Sequence, residues 1–405
     1  MKPTVAKAPA GPRAQSGKAT LRVLGTSVSL IEPIRVRAEQ DLGIHLDFLI
    51  EDATNAQRIA ALYPEAFDIY DQWFHNLDLI WPTRSIQALD LERIEHWDQI
   101  NDLPKRGRIS QAAPAAPGGN PAHRLFVQHD GELGVHPSGQ ISMLPTVHNA
   151  DSFATHWIKA DDQGLDKIDS WAALVDPALA GRVAVQSDAA IGVIDLVLAV
   201  QAAGWFDFAD PGNLTLKEIE SFIERLLALR KKGHFKAFWA TEAEAGALVE
   251  ADKVSITSMW WQGFVGLRQR GVPIRMAVPK EGFRGWYGGL ALSRRLEGRR
   301  RDVAYEYLNW WLSGYAGAVM SRNNAHISNP TASRPYLSEA EWGYWYEGKP
   351  AAEDLRCPYG RKIVAKGETY PGGSYDDRMN RIVIWNSVMD EHNYLVRKWT
   401  EVLKS

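Results

Sequence analysis

Aromatic side chains gather where the predicted strands of this chain end. Residues 254–289 read as strand, turn, helix, strand, turn and strand. Trp261 follows the first of these strands, and Trp286 and Tyr287 open the last. In open α/β sheets ligands bind outside the carboxyl ends of the strands, and rings there can stack on a flat or cationic group. The alternative is that these rings pack beneath loops, and we favour the ligand-binding interpretation.

Two acids, Asp188 and Asp151, lie in segments to which the family resemblance given below assigns ligand contacts. Asp188 lies between a predicted strand at 182–186 and a predicted helix at 191–203, and Asp151 lies in the Asn149-Ala150-Asp151 segment. Each has a structural alternative, because Asp188 is also suited to cap a helix and the second segment is also suited to form a turn.

The elements that must position these groups begin with a repeated pattern. Apolar runs at 21–25, 45–50 and 68–70 alternate with amphipathic helical segments at 34–41 and 55–62. This order predicts a parallel sheet with right-handed crossovers. At the other end of the chain, apolar residues with helical spacing predict a last helix over about 375–403.

Composition excludes several function classes. The 405 residues carry a formal net charge of −3, so nothing suggests a nucleic-acid partner. The single cysteine, Cys357, excludes an internal disulfide and a cysteine-based metal site, and an isolated histidine without a paired ligand does not indicate a metal. No apolar run reaches the length of a membrane-spanning helix. We expect neither a metal nor a cofactor.

The first 20 residues are rich in Lys, Arg, Pro and small residues but lack an apolar core segment. They do not form a signal peptide as written, and we predict a disordered tail. An exported protein needs a signal, so either the signal has been removed, or the true start lies elsewhere, or the protein is cytoplasmic; the family resemblance given below favours the first two.

Four stretches together resemble one family. They are the Trp-x-Gly step at 261–263, the Pro-Lys-Glu-Gly turn at 279–282, the segment at 145–153 and the Ser-Trp-x-x-Leu-x-x-Pro-x-x-x-Gly run at 170–181. The chain from about Leu21 onward is similar to the polyamine-binding branch of the extracellular solute-binding proteins that serve ABC importers.

The resemblance implies a type II periplasmic-binding-protein fold, with two α/β lobes around a ligand cleft and a multi-strand hinge. We expect lobe 1 to comprise 21–149 and 284–326, and lobe 2 to comprise 150–283 and 327–405. The segment at 145–153 would cross between the lobes at the cleft floor. Ser170 and Gly181 would have structural roles, capping a short helix and releasing the chain into a strand.

The resemblance also implies further ligand contacts. The loop after the first strand would contribute hydroxyls, and an aromatic contact would follow the third strand, although Phe74 is equally suited to the core. Together with the residues above, the candidate ligand-binding set is Thr26, Ser27, Trp73, Phe74, His75, His148, Asp151, Asp188, Trp261, Trp286, Tyr287 and His326.

The implied ligand is a small cationic or amine-containing solute. Family members that bind polyamines carry acids where this chain has Val28, Ile191 and Gly288. An opine-like compound, an amino-acid conjugate or a quaternary amine therefore competes with a polyamine. We expect a periplasmic monomer that closes on its ligand and delivers it to a membrane permease, without catalysis. A soluble ligand sensor and an enzyme on the same fold stay open, although no catalytic motif is present.

Overall fold

The structure, a computed structural model, describes residues 18–156 and 164–405. Its strands are β1 Thr20–Gly25, β2 His45–Ile50, β3 Ile69–Trp73, β4 Ile86–Gln87, β5 Leu89–Asp90, β6 Phe126–Val127, β7 Leu133–Gly134, β8 Gln140–Ile141, β9 Leu144–His156, β10 Val183–Gln186, β11 Phe235–Trp239, β12 Ile256–Met259, β13 Ile274–Met276, β14 Phe283–Ser293, β15 His326–Ile327, β16 Leu355–Arg356, β17 Lys362–Val364 and β18 Ile382–Trp385.

The α-helices lie between and after the strands along the chain. They are α1 Glu32–Leu42, α2 Ala53–Leu62, α3 Leu77–Ile80, α4 Asp102–Arg106, α5 Ala122–Leu125, α6 Gly192–Ala202, α7 Leu216–Lys231, α8 Glu242–Glu250, α9 Trp261–Gln269, α10 Gly298–Leu312, α11 Tyr315–Arg322, α12 Pro330–Ser333, α13 Glu339–Trp345, α14 Tyr375–Met379 and α15 His392–Lys404. Among the described residues, no helix is long and apolar enough to cross a membrane.

The main sheet contains two parallel groups of strands joined by two long antiparallel strands. Its order is β11-β10-β12-β9-β14-β3-β1-β2. The strand β1 pairs in parallel with β2 and β3, and β10 pairs in parallel with β11 and β12. The strands β9 and β14 pair antiparallel between the groups, and every residue of both is buried. This is the predicted arrangement of two α/β lobes joined by crossing strands.

Local signals explain several of these elements. The Thr215 hydroxyl and the Glu218 carboxylate form a capping box at the start of α7, from the sequence pattern Thr-x-x-Glu. Gly43 ends α1 in the left-handed region at φ 66°, where a glycine has no Cβ penalty. Because β9 and β14 are covered on both faces, their polar side chains are shielded from solvent and must find hydrogen-bond partners inside the protein.

The predicted helix over 375–403 is wrong. The segment instead forms α14, then β18, then α15. The β-branched run Ile382-Val383-Ile384 favours a strand, and β18 pairs in parallel with β14 at Phe283 and Gly285. Tertiary pairing therefore overrides the helical spacing of the apolar residues.

Two further expectations have different outcomes. Trp286 lies inside β14 rather than opening a strand, because β14 begins at Phe283. Most of the predicted tail, residues 1–17, lies outside the described residues. The predicted lobe boundaries stay predictions.

Candidate functional site

A cavity of about 590 Å³ lies where the two parallel strand groups face each other. Its walls are the segments that follow the carboxyl ends of β1, β2 and β3 on one side and of β10, β11 and β12 on the other. This is the place where open α/β sheets bind ligands. Its lining comprises Thr26, Ser27, Val28, Glu51, Asp52, Ala53, Thr54, Trp73, Asp151, Gln186, Ser187, Asp188, Ile191, Ala240, Thr241, Glu242, Ala243, Trp260, Gln262, Trp286 and Asn386.

Half of the predicted candidates lie together along this cavity. They come from both strand groups and from the two crossing strands, so the topology brings together residues that are far apart in the chain. These candidates are Thr26, Ser27, Trp73, Asp151, Asp188 and Trp286. That they contact a ligand stays a prediction.

The other candidates lie outside the lining. Trp261 is 1% exposed, and its indole N–H donates to the Ala150 carbonyl at 2.9 Å. Phe74 is fully buried against the ring of Tyr287. His75 is buried, and burial together with the charges of nearby cations lowers its pKa to about 3. These contacts give all three side chains a role in the core.

Tyr287, His148 and His326 belong to a buried polar cluster behind the crossing strands. The imidazole of His148 stacks on Tyr287 with ring centroids 4.6 Å apart, and its Nε2 lies 2.7 Å from the Tyr375 hydroxyl. The guanidinium of Arg378 lies 3.0 Å from Nε2 of His326. Burial, followed by the Arg378 charge, lowers the pKa of His148 to about 3. The same two causes lower the pKa of His326 well below its ordinary value, so both imidazoles are neutral.

Three aromatic rings line the cavity. Trp73 at the end of β3 and Trp286 within β14 meet edge to face, with centroids 5.1 Å apart. Trp260 follows β12 on the other side, where its ring meets Trp239 in the same geometry at 5.1 Å. Residues alternate between the two faces of a strand, so Trp286 faces the cavity while the next residue, Tyr287, faces the core.

Asp151 provides a buried carboxylate without a hydrogen bond. It lies opposite Arg284 in the register of β9 and β14, yet its Oδ2 is 3.9 Å from the guanidinium. Neither oxygen has a hydrogen-bond partner at normal distance and angle, although the Trp286 indole N–H approaches the carboxylate and opposes the rise of its pKa. Burial raises the pKa of Asp151 to about 7, against the opposing attraction of Arg284.

Glu242 is a second acid in the cavity, and the sequence interpretation missed it. It is the first residue of α8, it is half-buried, and its Oε1 is buried without a partner. Burial, followed by the negative charge of Asp151, raises the pKa of Glu242 to about 7. The Thr241-to-Glu244 capping box marks this helix start, but the strand β11 before it was not recognised in the sequence.

Asp188 does not cap α6 as predicted, because α6 begins at Gly192 and Ile191 is its N-cap residue; that Asp188 contacts a ligand stays a prediction. Its Oδ1 accepts the backbone N–H of Ala190 at 2.7 Å, and its carboxylate also lines the cavity. Burial raises its pKa, and the Ala190 N–H and the positive charges of His392 and Arg284 oppose that rise. The bond to the Ala190 N–H lies in the turn before α6 and uses one carboxylate oxygen, Oδ1.

Trp260, Gln262, Glu51 and Asp52 also line the cavity without having been predicted. Trp260 is the residue before α9, one position from the predicted Trp261. The Nε2 of Gln262 is buried without a partner. Among the described residues no cluster of three or more histidine, cysteine, aspartate or glutamate side chains could hold a metal.

Solved structures of similar fold are transport-related binding proteins. The spermidine/putrescine ABC transporter substrate-binding protein PotD from Streptococcus pneumoniae is 13% identical with a TM-score of 0.63, covering 96% of this chain and 98% of that chain. A putative spermidine/putrescine ABC transporter from Listeria monocytogenes is 11% identical with a TM-score of 0.64, covering 95% and 99%.

A third similar structure contains a bound sugar phosphate. The periplasmic binding protein AfuA from Actinobacillus pleuropneumoniae, with fructose-6-phosphate bound, is 13% identical with a TM-score of 0.56, covering 96% of this chain and 99% of that chain. At these identities the likeness shows the fold alone, which is the predicted type II periplasmic-binding-protein fold. A search of the curated proteins found no match.

The sequence itself identifies the family. The family described as "Bacterial extracellular solute-binding protein" matches residues 72–323, which include both crossing strands and most of the cavity lining. The cavity between two sheet groups agrees with a solute-binding role. This chain belongs to the family of bacterial extracellular solute-binding proteins.

Proposed function

We propose that the protein captures a small amine-bearing cation in this cavity and delivers it to the membrane permease of an ABC importer. The main support for this proposal is the negative charge of the cavity lining. Its ionisable side chains are five acids, and the described lining contains no lysine, arginine or histidine; the acids are Glu51, Asp52, Asp151, Asp188 and Glu242. An anion would meet only like charge there, whereas a cation would neutralise part of it.

The unpaired oxygens make the same argument at the level of single atoms. Both carboxylate oxygens of Asp151 and Oε1 of Glu242 are buried without donors. A buried acceptor that lacks a donor costs about 1–3 kcal/mol, and more when it is charged. An ammonium group carries up to three N–H donors and a positive charge, so it satisfies both needs at once.

The tryptophans suit the rest of such a ligand. Trp73, Trp260 and Trp286 offer ring surfaces that attract a cation and cover methylene groups. A volume of about 590 Å³ is in the range of small-molecule sites and admits a solute of modest size. A polyamine and an opine-like compound fit all of this chemistry, whereas a quaternary amine fits the rings and the charge but has no N–H to donate.

Cleft closure would couple capture to delivery. The lining is divided between the β1–β3 group and the β10–β12 group, so a ligand held on one side gains contacts from the other when the groups approach. Such differential contacts favour the closed conformation, which the permease would bind. We place the protein in the periplasm, acting as a monomer, and expect it in fluid released by osmotic shock from cells carrying the locus.

A thermal-shift panel tests the ligand class. The panel contains putrescine, spermidine, choline, betaine, lysine, arginine, an opine and, as the anionic control, fructose-6-phosphate. An amine at about a hundred times its dissociation constant should stabilise the fold by roughly 2.7 kcal/mol. Stabilisation by fructose-6-phosphate alone would refute the proposed ligand class. Mass spectrometry of the recovered amine tests the enzyme alternative, and an unchanged ligand is the expected result.

A further inference from the structure

Asp151 and Glu242 share an unusual position within the cavity. Both line it, and three of their four carboxylate oxygens are buried without a hydrogen-bond donor. Asp151 lies on the crossing strand β9, whereas Glu242 begins α8, where its side chain lies beside Gly263 of α9. Two carboxylates on different elements therefore face one apolar, tryptophan-lined space.

The groups that face Asp151 do not neutralise it fully. Arg284 is the nearby cation, but its Nε donates to Asp195 of α6 at 2.6 Å and its Nη1 to Asn386. The remaining nitrogen, Nη2, stays 3.9 Å from Asp151 and has no hydrogen bond. Asp195 adds negative charge, and the phenol of Tyr370 faces the carboxylate from the segment before α14.

The charged groups around Glu242 are engaged elsewhere. On its own helix, the Glu244 carboxylate accepts the N–H groups of Ala240 and Thr241. Glu250 at the far end of α8 pairs with Arg270 after α9. The charged group that acts on Glu242 is Asp151, which is of the same sign. Two buried carboxylates that repel each other cannot both ionise easily.

On the basis of the proposed function, we propose that Asp151 and Glu242 hold one proton between them in the empty cavity and that a cationic ligand displaces this proton. The proton leaves to solvent, and the positive charge of the ligand takes its place, so the charge of the pair is balanced before and after binding. Ligand capture is then an exchange of one cation for another, and it depends on the pH outside the cell.

The direction of the pH dependence follows from the site. Burial raises the pKa of both acids to about 7, and the negative charge of Asp151 contributes to the rise at Glu242. A cation within about 4–6 Å favours the ionised form of both, lowering the pair's pKa values by about 1–3 units. The bound state therefore holds fewer protons, so affinity rises as the pH rises through about 7.

Calorimetry with putrescine, choline and lysine tests the exchange on the full chain. Each titration is run near neutral pH in two buffers of different ionisation enthalpy, such as phosphate and Tris. The dependence of the measured heat on the buffer gives the number of protons released. Choline has no titratable ammonium, so any release it causes comes from the protein. We expect release of about half to one proton per ligand, and affinity that falls by up to about tenfold per pH unit in acid.

Variants assign the release to the pair. Glu242→Gln keeps the side-chain shape and removes one acid of the pair, so it should bind more weakly and release fewer protons than wild type; Asp151→Asn should do the same. Asp71→Asn is the matched control, because Asp71 is another buried acid with a pKa raised to about 7 that does not line the cavity. It should release as many protons as wild type.

The outcomes separate the two proposals. Binding without proton release, or full release in both pair variants, would overturn the exchange while leaving the amine-binding function in place. If Asp71→Asn releases no proton while Glu242→Gln releases as many as wild type, the proton belongs to Asp71. That result would also overturn the exchange. If none of the three probes binds, the amine-binding function fails and the exchange fails with it. Circular dichroism of each variant verifies its fold.

Discussion

Asp151 and Arg284 are register partners on β9 and β14, but Nη2 of the arginine lies 3.9 Å from Oδ2 of the aspartate. Arg284 is fully buried and hydrogen-bonds Asp195 and Asn386 instead. The arginine thus links α6, β14 and the segment after β18, and it lends Asp151 only a distant positive charge. A carboxylate that is held in place but not saturated is suited to receive a cation.

Arg284→Met should destabilise the fold strongly. The change leaves Asp195 buried without its cation, and breaking a buried pair in this way costs about 3–5 kcal/mol. Urea denaturation measures the loss. Arg270→Met is the matched control, because its pair with Glu250 is exposed and such pairs contribute about 1 kcal/mol or less. Equal effects in the two variants would contradict the structural role of Arg284.

Trp286→Ala and Trp261→Ala should behave differently. Trp286 lines the cavity, and losing a cation–π contact of about 1–2 kcal/mol weakens amine binding roughly tenfold. Trp261 is buried and donates to the Ala150 carbonyl, so its removal should cost about 3–5 kcal/mol of stability. Calorimetry and urea denaturation on both variants check the contrast. An unchanged stability of Trp261→Ala would show that the ring is not packed as described.

Asp188 can be divided into its two roles by two substitutions. Asp188→Asn keeps an acceptor for the Ala190 N–H but removes the charge, so it should bind amines more weakly with little loss of stability. Asp188→Ala removes both and should cost a further ~1 kcal/mol of stability, typical of one lost hydrogen bond. Comparison of the unfolding midpoints and affinities tests the assignment. If Asp188→Asn binds an amine as tightly as wild type, the side chain serves only to hold the turn before α6.

The fold was predictable from the sequence because its signals are local and repeated. The βαβαβ start and the capping box at Thr215 and Glu218 each specify their own element. The structure of residues 375–403 was not predictable in the same way. It contains β18, which depends on pairing with β14 about a hundred residues earlier in the chain. A long-range hydrogen-bond ladder leaves no periodic pattern in the segment that joins it.

The site was predictable only in part, for a related reason. Which face of an element a residue occupies changes with a shift of one position, so Trp260 lines the cavity where Trp261 was expected. Glu242 was missed because its position depends on recognising β11. The histidines at 148 and 326 have the polarity of ligand contacts, and only the three-dimensional structure places them in the buried cluster with Arg378.

Tyr287→Phe should separate the cluster from the cavity. The Tyr287 hydroxyl lies 2.7 Å from Ser328 Oγ in the core, and its ring stacks on His148. Removing the hydroxyl should cost about 1 kcal/mol of stability, the net contribution of one hydrogen bond, while amine affinity stays the same. Denaturation and calorimetry measure the two quantities. A large loss of affinity at unchanged stability would instead indicate that the Tyr287 hydroxyl contacts the ligand.

Asp71→Asn should change how stability depends on pH. Asp71 is 1% exposed, and burial raises its pKa to about 7 in the folded chain, compared with about 3.9 in an unfolded one. The folded state therefore favours the protonated acid, and the stability that the neutral acid provides is present below the unfolded pKa and is lost as the pH rises through about 7. Asparagine stays neutral, so the variant should gain roughly 2–3 kcal/mol on wild type between about pH 5 and pH 8.5.

Urea denaturation of both proteins at the two pH values measures this gain. Asp47→Asn on the exposed side of β2 is the matched control, and its difference from wild type should be the same at both. A difference between Asp71→Asn and wild type that does not change with pH would mean that Asp71 is ionised in the folded protein. It would then need a cation or donors beside both oxygens, which have no hydrogen-bond partner here.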